Sequence, residues 1–291
     1  MTTPTALLKQ ACCMLALSAT VNAATPAKKP TLPPRATPTA TAPATPPDVL
    51  LSLDFEATPV GEIPAGFTKK GAVGVAEDAA HSGKRSLRMD SAIRGSRGIT
   101  KEGEFMKELG GTHWGRLYYK VKQPVPTVTV PEGKKFAVIH STMVSGTAQS
   151  PLFSDPIEVR MLGNCLGPNG TFQYIYNVQP KKRPEFANGS KYDYKFTEDW
   201  TLAEWYIDYA TQTYHLYING VELEKPAISK GAGQFEGAEI PAVFESLTFG
   251  WNNYQPANEG EGFTVWIDDI ALSKERIGDR AIPSAPAGPK K

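Results

Sequence analysis

The chain has 291 residues, 41% hydrophobic and 21% charged, and its 31 Lys and Arg against 30 Asp and Glu give a formal net charge of +1. This composition excludes a disordered polyelectrolyte, and the near-zero charge lacks the electrostatic footprint of a nucleic-acid-binding protein, so we expect no nucleic-acid partner. The 25 Pro, 26 Gly, 12 Phe, 11 Tyr and 5 Trp favour short strands joined by tight turns over a helical bundle.

Residues 1–23 have the pattern of a secretory signal peptide. A single charged residue, Lys9, precedes an apolar stretch at 11–17, and Val21-Asn22-Ala23 fits the small-residue rule for cleavage. The apolar stretch is much shorter than the roughly 20 residues that a membrane span needs, and no later segment supplies one. We therefore expect an exported protein, secreted or periplasmic, without a membrane span.

Residues 24–48 contain eight Pro, six Ala and six Thr, a composition typical of a semi-rigid polyproline II spacer. Residues 278–291 are again rich in Pro and Ala, and we expect a disordered tail there. Residues 49–277 remain as one folded domain, which we expect to be monomeric. The other two cysteines lie within the predicted signal peptide, so Cys165 has no partner for an intramolecular disulfide.

Short runs of alternating apolar and polar residues, bounded by Gly, Pro, Asn or Asp, predict strands throughout this domain. Asn219-Gly220 predicts a type I′ hairpin turn, since both central residues of that turn need positive φ. Residues 102–109 are the one plausible short helix. About ten strands without a repeat predict an all-β fold of two packed antiparallel sheets, a jelly-roll sandwich. The predicted strands cover residues 50–55, 86–89, 114–121, 136–143, 157–162, 171–178, 205–210, 213–218, 246–251 and 264–272.

Motifs at both ends of this domain resemble those of concanavalin A-like jelly rolls in carbohydrate-active proteins. They are Leu53-Asp54-Phe55-Glu56, Pro64-Ala65-Gly66-Phe67, His81-Ser82-Gly83-Lys84-Arg85-Ser86-Leu87 and Trp266-Ile267-Asp268-Asp269-Ile270. Further segments, at 113–116, 136–142, 249–254 and 263–278, resemble the polysaccharide-lyase-like core of the fungal cellulose-induced protein, which is related to glucuronan and alginate lyases. The resemblance implies a two-sheet concanavalin A-like sandwich that recognises polysaccharide.

The resemblance also implies a structural calcium ion where the ends of the domain meet. If the first and last strands pair, Glu56 approaches Asp268 and Asp269, and the backbone carbonyls around Ser82 and Lys84 lie near them. Such hard oxygen ligands suit Ca²⁺. Neighbouring strand residues point to opposite faces, so we expect Asp269, with Asp268 as the second choice, to bind through its side chain. Without the resemblance, the residues alone favour carboxylates that cap strand ends in water.

For the lyases, the resemblance implies cleavage by β-elimination. A base removes the C5 proton of a uronic acid, a cation or amide neutralises its carboxylate, and an acid protonates the leaving oxygen. The candidate base is His140, in a segment resembling the Gln-Ile-His strand of alginate lyases, with Val138 in place of Gln. An unperturbed histidine titrates near 6.5, so elimination through His140 is expected to fall below roughly that pH.

The predicted strand 157–162 carries Glu158 and Arg160 on its polar face, opposite its apolar residues. Arg160 is the candidate partner of the substrate carboxylate, and we expect it to face the same groove as His140. Glu158 is an alternative base. The structural alternatives are a hydrogen-bonded His140 that closes a strand and an Arg160 that merely pairs with Glu158.

The tyrosine-rich strand around 172–177 offers the candidate acid. Tyr174 and Tyr176 share one face and Gln173 and Asn177 share the other, and the sequence does not determine which face lines the groove. We take the tyrosines as candidate catalytic residues and the two amides as candidate substrate ligands.

Aromatic residues that stack on sugar rings would support binding. Tyr254, on the same strand face as Asn252, is the best exposed candidate of this kind. We also expect Arg116 to join Arg160 in a local cationic cluster that attracts an anionic glycan within a Debye length of about 8 Å.

Three functions therefore remain open. The first is a polysaccharide lyase, the second a non-catalytic carbohydrate-binding protein, and the third a cell-envelope interaction module that uses the sandwich as a scaffold. The sequence shows no Ser-His-Asp triad, phosphate loop or Cys/His zinc motif.

Overall fold

The computed structural model describes residues 48–229, 236–254 and 262–282. The predicted signal peptide, nearly all of the predicted linker at 24–48 and most of the predicted tail at 278–291 lie outside these residues. No helix among the described residues is long and apolar enough to cross a membrane.

Strands follow one another through the described part of the domain, as the sequence pattern predicts, and they are joined by turns and by longer connections at 54–67 and 122–138. In chain order they are β1 (Val49–Leu53), β2 (Thr68–Lys70), β3 (Val73–Ala76), β4 (Ser86–Ala92), β5 (Gly95–Glu102), β6 (His113–Val121), β7 (Ile139–Gln149), β8 (Pro156–Leu166), β9 (Phe172–Pro180), β10 (Phe186–Gly189), β11 (Thr201–Asp208), β12 (Thr213–Ile218), β13 (Val221–Glu222), β14 (Ser246–Asn253) and β15 (Phe263–Ser273). One short helix, α1 (Phe105–Leu109), follows β5.

The strands form two antiparallel sheets. Sheet A has eight strands in the order β13-β12-β11-β6-β15-β4-β3, and β1 also pairs with β15. Sheet B has seven strands in the order β10-β9-β8-β7-β14-β5-β2. The predicted all-β, two-sheet antiparallel jelly-roll sandwich is therefore confirmed. Because β1 pairs with β15, the two ends of the domain lie side by side in sheet A.

Large aromatic residues fill the space between the two sheets. Tyr176 of sheet B packs on Tyr214 of sheet A, with 4.3 Å between their ring centroids. The hydroxyl groups of Tyr174 and Tyr119 hydrogen-bond to each other across the same interface. Burial of such rings contributes much of the hydrophobic stabilisation, and the paired hydroxyls avoid the cost of an unsatisfied polar group.

The predicted hairpin turn is confirmed. Asn219 and Gly220 both have positive φ, 50° and 81°, and they join β12 to β13 with Ile218 paired to Val221. The amide oxygen of Asn219 also accepts a hydrogen bond from the backbone N–H of Leu202, at 3.0 Å. The predicted helix is shorter than expected, because the first three residues of 102–109 end β5 and form a turn.

Candidate functional site

Polar side chains gather on the outer face of sheet B. On β8, Val159 and Met161 point into the core. Glu158 and Arg160 alternate with them along the strand and therefore point outward. On β9, the buried tyrosines alternate with residues of the outer face in the same way. We call this surface the polar face of sheet B, and it comprises His140, Glu158, Arg160, Gln173, Asn177 and Tyr254.

Arg160 lies at the centre of this polar face. Its Nε and Nη2 donate to the same oxygen of Glu158, at 3.0 and 2.8 Å, and its Nη1 donates to Asn177 Oδ1 at 3.4 Å. The guanidinium carbon lies 4.5 Å from the ring centroid of Tyr254, within cation–π range. Ion pair, amide and ring together leave the Arg160 side chain only 8% exposed.

His140 belongs to the same cluster. Its ring centroid lies 5.5 Å from that of Tyr254, at an angle of 53°. Burial, and next the charge of Arg160, lower the pKa of His140 from 6.5 to about 4. The imidazole is therefore neutral at pH values well above 4. Burial also raises the pKa of the Tyr254 phenol above its usual value, so the phenol keeps its proton at neutral pH.

The structure adds two residues that the sequence analysis missed. Asn177 Nδ2 donates to the carboxylate of Glu185 and, at 3.1 Å, to the carbonyl of Phe186. Gln173 Nε2 donates to the hydroxyl of Tyr192 at 3.3 Å. Glu185 and Tyr192 flank β10, and only the pairing of β10 with β9 brings them to the polar face. No local sequence signal could have identified them.

Tyr174 and Tyr176 do not belong to the polar face. Both are fully buried between the sheets, and burial raises the pKa of each phenol well above its usual value. Neither side chain can reach a ligand on the outer surface, so the acid role predicted for these two tyrosines is wrong. The register of β9 turns its aromatic residues inward and leaves Gln173 and Asn177 outside.

Arg116 does not join Arg160 either. It lies on β6 in sheet A, where its Nη1 donates to the carbonyls of Gly278 at 2.8 Å and Arg280 at 2.6 Å. The predicted cationic cluster is wrong because the two arginines belong to opposite sheets. Asn252 lies on β14 opposite Thr142 of β7 and is half-buried.

The residues predicted to bind calcium either lie in the turn 81–85 or contact it, at the paired ends of the domain. Glu56 Oε1 accepts hydrogen bonds from the backbone N–H groups of Lys84, at 2.8 Å, and Arg85, at 2.7 Å. This contact holds the chain after β1 against the turn before β4. The carboxylate thus satisfies backbone donors that would otherwise need water.

The two aspartates hold the same turn from the other side. Asp268 Oδ2 accepts from the backbone N–H groups of His81 at 2.8 Å and Ser82 at 3.3 Å. Asp269 Oδ2 lies 2.6 Å from His81 Nδ1, and its Oδ1 accepts from Ser82 Oγ at 2.8 Å. We call the contacts of Glu56, Asp268 and Asp269 with the turn 81–85 the terminal clasp.

The oxygens of the terminal clasp face N–H and O–H donors. A calcium ion needs six to eight oxygen ligands without competing hydrogens. Within residues 48–229, 236–254 and 262–282, no group of three or more His, Cys, Asp or Glu is arranged to hold a metal. These contacts fit a hydrogen-bonded clasp and do not fit a calcium cage, so calcium stays a prediction from the resemblance alone.

Protonation distinguishes the two aspartates. Burial, and next the charge of Asp269, raise the pKa of Asp268 from 3.8 to about 8. Burial also pushes the pKa of Asp269 upward, but hydrogen bonds from His81 and Ser82 outweigh it and hold that pKa below its usual value. Near neutral pH one carboxylate of the pair therefore tends to carry a proton.

No protein-family model matches the chain, and no curated protein matches it. The resemblance to the polysaccharide-lyase-like family is thus not supported by these comparisons. Solved structures are similar in fold. The binding domain of botulinum neurotoxin serotype C1 aligns with a TM-score of 0.50 and 11% identity, over 79% of this chain and 49% of that chain.

A second similar structure is described as showing that cell entry of botulinum neurotoxin type C depends on interaction with two ganglioside molecules. It aligns with a TM-score of 0.50 and 10% identity, over 79% of this chain and 48% of that chain. The binding domain of serotype D/C gives the same score and identity, over 79% and 49%. This chain spans about half the length of those chains. At such low identity the likeness shows a shared β-sandwich fold, and the function has to be argued from this chain's own residues.

Proposed function

We propose that the protein recognises a polysaccharide on the polar face of sheet B and cleaves a uronic-acid-containing chain there by β-elimination. One observation carries the proposal. His140 and Arg160 lie on β7 and β8, and Tyr254 directly follows β14. The Tyr254 ring centroid lies 5.5 Å from that of the imidazole and 4.5 Å from the guanidinium carbon. A potential base, cation and acid thus meet at one point of the surface.

His140 and Tyr254 have the protonation states that β-elimination needs. The neutral imidazole of His140 accepts the C5 proton, and the electron pair of that C–H bond forms the C4–C5 double bond. The C4–O bond breaks, and the Tyr254 phenol donates its proton to the leaving oxygen. Arg160 neutralises the substrate carboxylate and so stabilises the charge that develops beside C5. Proton transfer from imidazolium to phenolate restores the starting state.

A non-catalytic carbohydrate-binding protein is the second candidate, and a specific observation favours it. The donors of Arg160 are engaged with Glu158 and Asn177, which is typical of an arginine that shapes a surface. The fold is compatible with this candidate, since one of the similar structures is described by its interaction with ganglioside molecules.

Product formation separates the two candidates. The protein is incubated with glucuronan, alginate and pectate, and the absorbance of an unsaturated uronic product is followed. We expect product from one of them, and a loss of about 100-fold in kcat/KM for His140→Ala. His215→Ala, on the outer face of sheet A, is the matched control and should retain activity. Glycan binding without product would leave the binding candidate, and the absence of both would overturn the proposal.

Export belongs to the same proposal, because an extended polysaccharide is met outside the cytoplasm. The signal-peptide pattern at 1–23 supports it. We expect the mature chain to begin at Ala24, and N-terminal sequencing of the secreted or periplasmic protein checks this. A retained residue 1 would contradict it.

A further inference from the structure

The arginine of the polar face is already bound to a carboxylate. Both Nε and Nη2 of Arg160 donate to one oxygen of Glu158, at 3.0 and 2.8 Å. Its Nη1 reaches Asn177 Oδ1 only at 3.4 Å, which is long for such a bond. The ring of Tyr254 lies over the guanidinium. The guanidinium that would bind the carboxylate of a sugar is therefore already bound to Glu158.

The geometry of this ion pair makes it replaceable. Two nitrogens share one oxygen, so the pair lacks the two parallel bonds of a fork-to-fork contact. Glu158 is also the more exposed partner, with 29% of its side chain accessible against 8% for Arg160. An ion pair that is open to water on one side contributes little stability and yields readily to a competitor.

The charges around Arg160 oppose an anionic ligand while Glu158 stays in position. One guanidinium faces two carboxylates, those of Glu158 and, through Asn177, Glu185. His140 adds no positive charge near neutral pH. Arg160, Glu158 and the neighbouring Glu185 therefore sum to one negative charge, and a uronate gains the full attraction of Arg160 only when Glu158 moves away.

We propose that Glu158 occupies the position of a ligand carboxylate on Arg160 and acts as a built-in competitor that sets the selectivity of the polar face between acidic and neutral glycans. A uronic acid binds by displacing Glu158 from the guanidinium, and a neutral sugar binds without this exchange. The inference rests on the proposed function, since it assumes that the polar face binds glycans.

Substitution of Glu158→Gln tests the inference, because glutamine keeps the size of the side chain and removes its charge. Affinities for a saturated oligoglucuronate and a neutral cello-oligosaccharide of equal length are measured by calorimetry on the full-length protein, with Tyr254→Phe added to every variant so that the oligoglucuronate is not cleaved during the titration. We expect Glu158→Gln to bind the oligoglucuronate about tenfold more tightly and the neutral sugar unchanged. Glu222→Gln, which removes a carboxylate paired with His215 on sheet A, is the matched control and should change neither affinity.

The outcomes separate this inference from the proposed function. Unchanged or weaker oligoglucuronate binding by Glu158→Gln, with the parent Tyr254→Phe protein binding, would overturn the competitor role and leave the function standing. No binding of either sugar by either protein would overturn both. Glu158→Asp, which withdraws the carboxylate by one methylene, should give a smaller gain and serves as the second variant if Glu158→Gln fails to fold.

Discussion

The imidazole of His140 gives the proposed chemistry its pH dependence. Because its pKa lies at about 4, a base that must be unprotonated stays active well below pH 6.5. We expect the acid limb of kcat/KM for polyuronate cleavage to fall near pH 4. The titration of His140 followed by NMR gives the same value without relying on activity. An acid limb and a titration near 6.5, as expected for an unperturbed histidine, would contradict the buried site.

The hydroxyl of Tyr254 makes a second residue-scale prediction. Tyr254→Phe keeps the ring over Arg160 and removes only the proton donor, so binding should persist while kcat falls about 100-fold. Tyr217→Phe is the matched control, since that tyrosine lies on β12 of sheet A beside Arg276. Unaltered kcat in Tyr254→Phe would assign the acid role to another group.

Individual residues show what strand periodicity can predict. Alternation correctly grouped Glu158 with Arg160 and Gln173 with Asn177, because successive strand residues point to opposite faces. Alternation could not predict which face of β9 points outward, since an aromatic face is typical of a core and of a sugar-binding groove alike. The inward direction of Tyr174 and Tyr176 follows from packing against sheet A, which no local pattern records.

At the scale of elements, the terminal clasp links stability to pH. The pKa of Asp268 is about 8 in the folded protein against about 3.9 in an unfolded chain, so the folded state binds this proton more tightly. Its contribution to stability is therefore present at low pH and is lost as the pH rises from about 4 to about 8.

We expect the free energy of unfolding in urea to fall more between pH 5 and pH 8 for the wild-type protein than for Asp268→Asn, which cannot ionise. The prediction is contradicted if the free energy of unfolding of the wild-type protein stays level or rises over this pH window relative to that of Asp268→Asn. Such a result would show that the Asp268 carboxylate is ionised in the folded protein.

The terminal clasp and the family resemblance make opposite predictions about calcium. The oxygens of the clasp accept hydrogen bonds from the turn 81–85, so we expect the melting temperature to be the same with and without EDTA. The family resemblance predicts a fall in EDTA instead, because a structural ion stabilises the folded state by mass action. A fall that added Ca²⁺ reverses would show that the clasp rearranges around an ion.

Turns were the elements that the sequence specified best. Asn219-Gly220 needs positive φ at both residues, which few other dipeptides tolerate, and the structure has it there. The sequence placed a strand at 136–143, whereas β7 begins at Ile139 and continues to Gln149. The second part of β7 does alternate buried and exposed residues, but its inward positions include the small residues Gly146 and Ala148, which give only a weak apolar signal in the sequence.

For the whole molecule, composition and alternation were sufficient to predict two antiparallel sheets. Composition and alternation could not predict which strands share a sheet, because that depends on the order in which distant strands pair. Strand β6 pairs with β11 and β15, whereas β8 pairs with β7 and β9, and this order separates Arg116 from Arg160. Long-range pairing therefore decided which predicted site residues meet, and it brought His140, Arg160 and Tyr254 together.

The central claim is that glycans bind the polar face of sheet B, and NMR of the full-length protein with isotope-labelled His and Tyr tests it most directly. A short saturated oligoglucuronate and a neutral oligosaccharide are each titrated into the protein. The account predicts that the ring signals of His140 and Tyr254 shift with at least one of them, while those of His215 and Tyr217 on sheet A stay unchanged. Shifts confined to the sheet A residues, or no shift with either sugar, would contradict it.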